Sequence, residues 1–392
     1  MSTRTMRAAR MHAVGEAMRL DELPVPEPAP GDVRVKVHAV NIVPNLGNIL
    51  ENWTTWFPED PLPTLPAVFG LDPAGTIDAI GEGVQHWKVG DRVYVNPGRH
   101  CGACLACRKG DHINCASYAF SGYFGFSKTA LELLDRYPGG LSQYMVAPAY
   151  SLAKLPDNLD FNTAARFGYL GTMYSALRKA GAGPGKTILI NGISGTLGLG
   201  AALLAPAFGM TTVFGTGRDK DLLKDVQRLA PERLRVHSLQ DTPLDEWIKS
   251  ETGGRGVDIY IDALGPGAPH ETFQAGMRSL ARGGVAVNIG AVSGDLPIDI
   301  HRVMNLQLRI IGSAWSTAAE SQELADLVEA GVIDLSPLEH HVYPLDHINE
   351  AINSVTARHG GFTNFIINPQ ASESHPQPGR ANEPGREEPA YT

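Results

Sequence analysis

All four cysteines of the chain fall within fifteen positions, at Cys101, Cys104, Cys107 and Cys115. Their spacing is C-x2-C-x2-C-x7-C, with Gly102 and Gly110 giving the backbone room to turn. Four thiolates at such intervals can close a tetrahedral shell around Zn²⁺, at roughly 2.3 Å per bond. A shell of four sulfurs leaves no position for water or substrate, so the ion would be structural. Bacterial ferredoxins also begin C-x2-C-x2-C, but their fourth cysteine comes sooner and precedes a proline. Here Cys115 precedes Ala116. Zinc is the expectation, ahead of an iron–sulfur cluster or four unrelated thiols.

A second constellation runs from Thr187 to Gly198. It reads as a strand entering a glycine-rich turn and then a helix, with Gly192, Ser194, Gly195, Thr196, Leu197 and Gly198 in the turn. The glycines serve different ends. The first permits the tight turn, the second admits a pyrophosphate, and the third lets helix and strand pack closely. Free N–H groups at the helix start would face the phosphates. Pro206 lies where the helix should continue, so a kink or early end is expected. At the end of the next strand an NAD-selective protein keeps an acidic residue for the ribose 2′-hydroxyl. This chain has Gly217, then Arg218 and Lys220. A guanidinium there pairs with a 2′-phosphate, so NADP(H) is the expected cofactor. The alternative is that Asp219 turns inward and selects NAD.

These groups need a scaffold of two domains, because 392 residues exceed the ~250–300 at which a single core stops growing. With 43% hydrophobic and 19% charged residues, the composition excludes a disordered or collagen-like chain. The net charge of −9, without long blocks of one sign, argues against nucleic acid or an anionic membrane as partner. No apolar run approaches the ~20 residues of a membrane span. Met1–Arg10 has no apolar segment behind its arginines, so the expected location is the cytoplasm. Residues 1–155 read as short β segments; along Val33–Val40, Val33, Val35 and Val37 face one side and Arg34 and Lys36 the other. Residues 156–338 alternate helices with apolar strands at Thr187–Ile190, Thr211–Phe214, Val257–Asp262, Val285–Ile289 and Arg309–Ile311. That is an α/β pattern, a parallel sheet covered on both faces. Residues 339–369 return to short strands and rejoin the first domain. Residues 370–392, rich in proline and charge, read as a disordered tail.

With these residues in view, positions 7–369 resemble the medium-chain dehydrogenase/reductase superfamily. The motifs are Gly70-Leu-Asp72-Pro-Ala-Gly75, Gly81-Glu-Gly83, Val89-Gly90-Asp91-Arg-Val93, the cysteine lobe, Gly139-Gly-Leu-Ser-Gln-Tyr144 and the glycine turn. The resemblance implies a GroES-like, β-rich catalytic domain and a Rossmann, doubly wound parallel-sheet domain, with the active site between them. It also implies a structural zinc at 101–115 and homodimers paired through the edge strand Leu306–Gly312. The zinc alcohol dehydrogenases of the superfamily bind a catalytic zinc as well, and there the sequence departs. Val43, Leu71 and Gly168 align with three of their ligands, and Asp72 with the glutamate beside the second. A catalytic zinc would need unexpected ligands, such as Asp72 with His100 or His112. Gly-x-Asp-x-x-Gly and the 191–200 turn look more like the zinc-free quinone oxidoreductase and enoyl reductase branch. That branch has Asn-Pro where this chain has Val43-Pro44, and a tyrosine where it has Asn48.

Without a metal, reduction of a simple ketone lacks an electrophile for the developing alkoxide. A quinone or enone spreads the charge into a hydroquinone or enolate. Hydrogen bonds of ~2.7–4 kcal/mol each then suffice. The expected reaction is therefore NADPH-dependent hydride transfer to a conjugated carbonyl, with a small-molecule substrate. The alternatives are an alcohol dehydrogenase or ketone reductase with an atypical zinc site, and a non-catalytic NADP-binding protein. Candidate catalytic residues are Asn45 and Tyr169 as donors and Asp72, which as a carboxylate could instead tie the backbones of the two domains together. Trp53, Trp56 and Phe57, with Tyr118, Phe120, Tyr123, Phe124 and Phe126, are candidates to line a pocket for a bulky substrate. His340 and His341 read as surface residues.

Overall fold

The computed structural model describes residues 4–371 except 45, 57, 266 and 293, and for 48, 54 and 56 the backbone alone. Asn45, Phe57, the side chains of Asn48 and Trp56, and the tail from 372 onward lie outside the described residues. The strands of the two large sheets begin with β1 (Asp32–Asn41), β2 (Leu71–Ile80), β3 (Arg92–Val95), β4 (Tyr144–Pro148) and β5 (Leu152–Lys154). The second domain supplies β6 (Thr187–Asn191), β7 (Thr212–Gly217), β8 (Leu234–Ser238), β9 (Val257–Asp262), β10 (Leu280–Asn288) and β11 (Arg309–Gly312). The chain then returns through β12 (Glu339–Pro344) and β13 (Thr363–Asn368). The helices that border the site are α1 (Leu46–Trp56), α2 (Phe167–Ala180), α3 (Leu199–Leu204), α4 (Lys220–Arg228) and α5 (Ile348–Ser354).

The first sheet has the order β5-β3-β2-β1-β13-β12, with β4 also paired to β1. Val33, Val35 and Val37 of β1 are fully buried, as the alternation requires. Arg34 on the opposite face is covered too, because Asp78 on β2 accepts from its Nε at 2.7 Å. The second sheet has the order β8-β7-β6-β9-β10-β11 and is parallel throughout. This is the GroES-like plus Rossmann α/β architecture. β8 is absent from the apolar runs read in the sequence. As an edge strand of composition Leu-Arg-Val-His-Ser, it buries its ends and leaves Arg235 in solvent. α3 ends two residues before Pro206, whose ring and missing N–H stop it.

Separate cores serve the two sheets. Leu170, Met173, Ile188, Ile190 and Leu199 belong to one, while Val35, Phe69 and Leu71 belong to the other. The second core also holds Leu345, Ile348, Val355 and Phe365, so the returning segment is packed as part of the first domain. No helix among the described residues is long and apolar enough to cross a membrane.

Candidate active site and metal centre

The cysteine lobe springs from the paired strands Gly98–Arg99 and Ala119–Phe120. A one-turn helix at Leu105–Arg108 and a 3-10 turn at His112–Asn114 bring the later thiols back to the first. The four Sγ atoms lie within 4.8 Å of one another, with 3.5 Å between Cys104 and Cys107 and 3.6 Å between Cys101 and Cys115. A zinc tetrahedron with ~2.3 Å bonds has edges of about 3.8 Å, so the donor set fits that ion. Backbone N–H groups point at the sulfurs: Cys104 N lies 3.4 Å from Cys101 Sγ, and Cys101 N and Ser117 N each lie 3.3 Å from Cys115 Sγ. The backbone N–H groups of Cys107 and Ala116 lower the Cys104 thiol to about 6, whereas burial pushes Cys107 up to about 12. A coordinated cation holds all four as thiolates. His100 and His112 stack on each other beside the lobe, ring centroids 4.0 Å apart. Among the described residues no group of three metal donors includes Asp72 with either histidine, because Asp72 is sealed at the domain junction.

The two domains face each other across a cavity of about 910 Å³. It opens at the point where the strand order reverses, between β6 and β9, the usual ligand site of open α/β sheets. Gly192, Ser194, Gly195, Thr196 and Leu197 form one wall, and Gly217 and Arg218 continue it from the end of β7. Gly192 adopts a φ of +84°, which suits glycine. Gly198 does not line the cavity; a Cβ there would stand 2.1 Å from Gly192 O, so the turn closes only around a glycine. Pro44, Gly47, Ile352, Asn353 and Arg358 form the facing wall. Lys220 takes no part in either, since its Nζ pairs with Asp241 at 2.6 Å. Asp219 does not turn inward. Its Oδ1 caps α4, accepting from the N–H groups of Asp221 and Leu222 at 2.9 and 3.1 Å.

Tyr169 of α2 lines the same cavity, and its hydroxyl has no hydrogen-bond partner among the described residues. Asp72 lies behind the cavity with no solvent exposure, in the left-handed region at φ +58°. Tyr94 donates to its Oδ1 at 2.7 Å, and Oδ2 has no partner. Asn41 lies near enough to favour the carboxylate's charge without reaching hydrogen-bond geometry. Burial dominates, raising Asp72 to about 7 against the opposing pull of Tyr94 and Arg166. The expected tie from Asp72 to the backbone is not formed; its partner is a phenol. Asp72 instead packs on Gly168, where a Cβ would stand 2.3 Å from both carboxylate oxygens. The tie between the domains is made by Arg166, also buried. Its Nη2 donates to Thr196 O at 3.0 Å and Gly361 O at 2.6 Å. Its guanidinium lies 5.3 Å from the Tyr169 ring centroid.

Residues 29–157 match the model of the alcohol dehydrogenase GroES-like domain, and residues 196–330 that of the zinc-binding dehydrogenases. An alcohol dehydrogenase of Geobacillus stearothermophilus is 30% identical, over 86% of this chain and 94% of its own length. The chain belongs to the zinc-type alcohol dehydrogenase family of the medium-chain dehydrogenase/reductase superfamily. An NAD-dependent alcohol dehydrogenase of Sulfurisphaera tokodaii is 28% identical over 89% of this chain and 96% of the relative. The alcohol dehydrogenase of Aeropyrum pernix superposes with a TM-score of 0.75 at 25% identity, covering 93% of this chain and all of the other.

In this dehydrogenase none of the described aromatic residues of the two groups lines the cavity. They pack on one another: Trp53 stacks on Phe124 at 3.9 Å, and Phe120 meets Trp315 at 4.7 Å. Trp315 comes from the second domain and has a φ of +61°, a conformation costly for a bulky side chain. His340 is half-buried rather than a surface residue, because Thr163 Oγ1 on the neighbouring turn lies 3.1 Å from its Nε2; His341 is exposed. Sequence reasoning missed Arg166, Trp315 and Arg358. Each is a lone residue in its segment, without a spacing pattern to mark it.

Proposed function

We propose that this dehydrogenase uses NADP(H) to transfer hydride to a conjugated carbonyl, a quinone or an enone, without a metal at the reacting centre. The observation that carries this reading is the donor set at the domain junction. Val43 and Leu71 are buried apolar side chains, Gly168 offers none, and Asp72 is turned toward Tyr94. A catalytic zinc needs three protein donors and an open fourth position, which these residues do not supply. The bound nicotinamide supplies or accepts the hydride. The chain's own residues hold it: Ser194, Gly195, Thr196 and Leu197 at the turn, and Arg218 for a 2′-phosphate, with Asp219 already committed to its helix. Tyr169, and Asn45 as read from the sequence, would donate to the substrate oxygen as charge grows there. The cysteine lobe would hold one structural zinc. Two copies would pair through β11, whose exposed edge carries Ile310.

A screen of NADPH oxidation tests the reading. Turnover of enones or quinones supports it. Turnover of saturated ketones alone, with two zinc ions per chain, favours a metal-dependent alcohol dehydrogenase, the activity that the relatives' names print. Replacing Arg218 with Gln should raise the KM for NADPH about tenfold and leave that for NADH unchanged. A clear NADH preference in the unmodified protein refutes the cofactor assignment.

A further inference from the structure

His359 stands where the returning chain passes the second domain. Two residues on, Gly361 N donates to Ser194 O at 2.8 Å, and a Cβ on Gly361 would stand 2.5 Å from Gly195 O. Backbone therefore packs on backbone at this junction, and small movements of the segment are felt in both domains.

Both ring nitrogens of His359 face carboxylates, and the two come from different domains. Nδ1 lies 3.1 Å from Glu339 Oε1 at the start of β12, in the first domain. Nε2 lies 3.1 Å from Asp225 Oδ2 on α4, in the second. A neutral imidazole has a single N–H, so one nitrogen would turn its lone pair on a carboxylate oxygen. Only the imidazolium donates to both. Burial pulls against that charge, but Glu339 and Asp225 together outweigh it and hold the ring above the ordinary 6.5.

The other charged groups here are turned to partners of their own. Arg228, one turn along α4, pairs with Asp225 through Oδ1, the oxygen that His359 does not use. Arg358, the preceding residue, donates from Nη1 to Val355 O at 3.2 Å. Contacts that do not depend on charge fix the ring: it stacks on Phe362 with centroids 4.9 Å apart, and its backbone N–H donates to Thr363 Oγ1 at 2.8 Å. The side chain is 42% exposed, so protons reach it from solvent.

We propose that His359 is a proton-operated clasp between the domains: as the imidazolium it joins α4 to β12, and on losing its proton it releases them. Arg166 and the hydrogen bond from Gly361 to Ser194 then hold the segment without it. Ion pairs this exposed contribute little each, so the clasp tightens the junction and does not sustain it alone. The folded ring holds its proton more tightly than the free group. The added stability is therefore complete below about pH 6.5 and fades as the pH climbs through the folded value.

Proton–carbon NMR of histidine-labelled protein, with His359→Gln to assign the signal, tests the charge. The midpoint should lie above 6.5, fall in Asp225→Asn and fall again when Glu339→Gln is added. A midpoint at or below 6.5, or one that neither substitution moves, overturns the proposal. Thermal melting tests the tie. His359→Gln should melt about 1–3 °C below the parent at pH 6 and together with it at pH 9. An equal gap at both values, or none at pH 6, overturns the clasp. At pH 6 Asp225→Asn should cost less in the His359→Gln background than in the parent; equal costs would show that the two domains are not joined through this ring.

Discussion

The cysteine lobe and the interdomain cleft are both sites, built in opposite ways. The lobe draws its four donors from fifteen consecutive positions and needs little from the rest of the chain beyond the strand pair that carries it. The cleft gathers Pro44, Tyr169, Gly195, Arg218 and Arg358 from more than three hundred positions and from both domains. Loss of one lobe donor should therefore act locally through the metal. Loss of one cleft residue acts through packing and charge spread over the whole interface.

The largest effect is expected at the lobe: if it holds the proposed zinc, Cys107→Ser or prolonged chelation should remove the ion and lower the melting temperature by several degrees. NADPH affinity should change less than threefold; a collapse of nucleotide binding would show that the two sites are not independent. At the cleft floor, Gly168→Ala should cost about 1–3 kcal/mol, because its methyl would press on the Asp72 carboxylate. Adding Asp72→Ala should recover most of that loss in urea unfolding, and strictly additive effects would exclude the contact.

Asp72 gives a pH test of smaller size. Its carboxyl is raised to about 7 in the fold, against 3.8 for the free group, so the folded chain holds a proton that the unfolded chain releases. Stability from this residue is intact below about pH 4 and falls as the pH rises toward 7. Asp72→Asn should flatten that fall and make the protein more stable than its parent at pH 8. Identical pH profiles for the two would place the titration elsewhere. The smallest effect is expected from Ile310→Lys on β11, which should leave stability within about 0.5 kcal/mol but shift gel filtration toward monomer. An unshifted elution volume removes the edge strand from the pairing surface.

The difference between the two regions also explains which features are legible in the sequence. The metal donors and the glycine turn repeat at short intervals, and short intervals impose geometry that sequence displays directly. The alternating valines of β1 and the apolar strands of the parallel sheet are legible for the same reason. Lys220 misleads because charge alone does not tell which way a side chain points; Asp241, twenty-one positions later, claims it. His340 looks like a surface residue until the fold brings Thr163 to it from a different element. The aromatic residues suggest a pocket lining, yet those described pack on one another, as Trp53 does on Phe124 and Phe120 on Trp315.

What the amino-acid order determined alone was every feature whose partners lie within a turn or two: the cysteine shell, the turn at Gly192, the early stop at Pro206 and the strand periodicities. Only the folded chain decided that Asp72 loses its water, that Arg166 spans both domains, and that Arg358 lines the cavity. Burial and long-range charge depend on which distant segments close around a group, and local sequence carries no record of that.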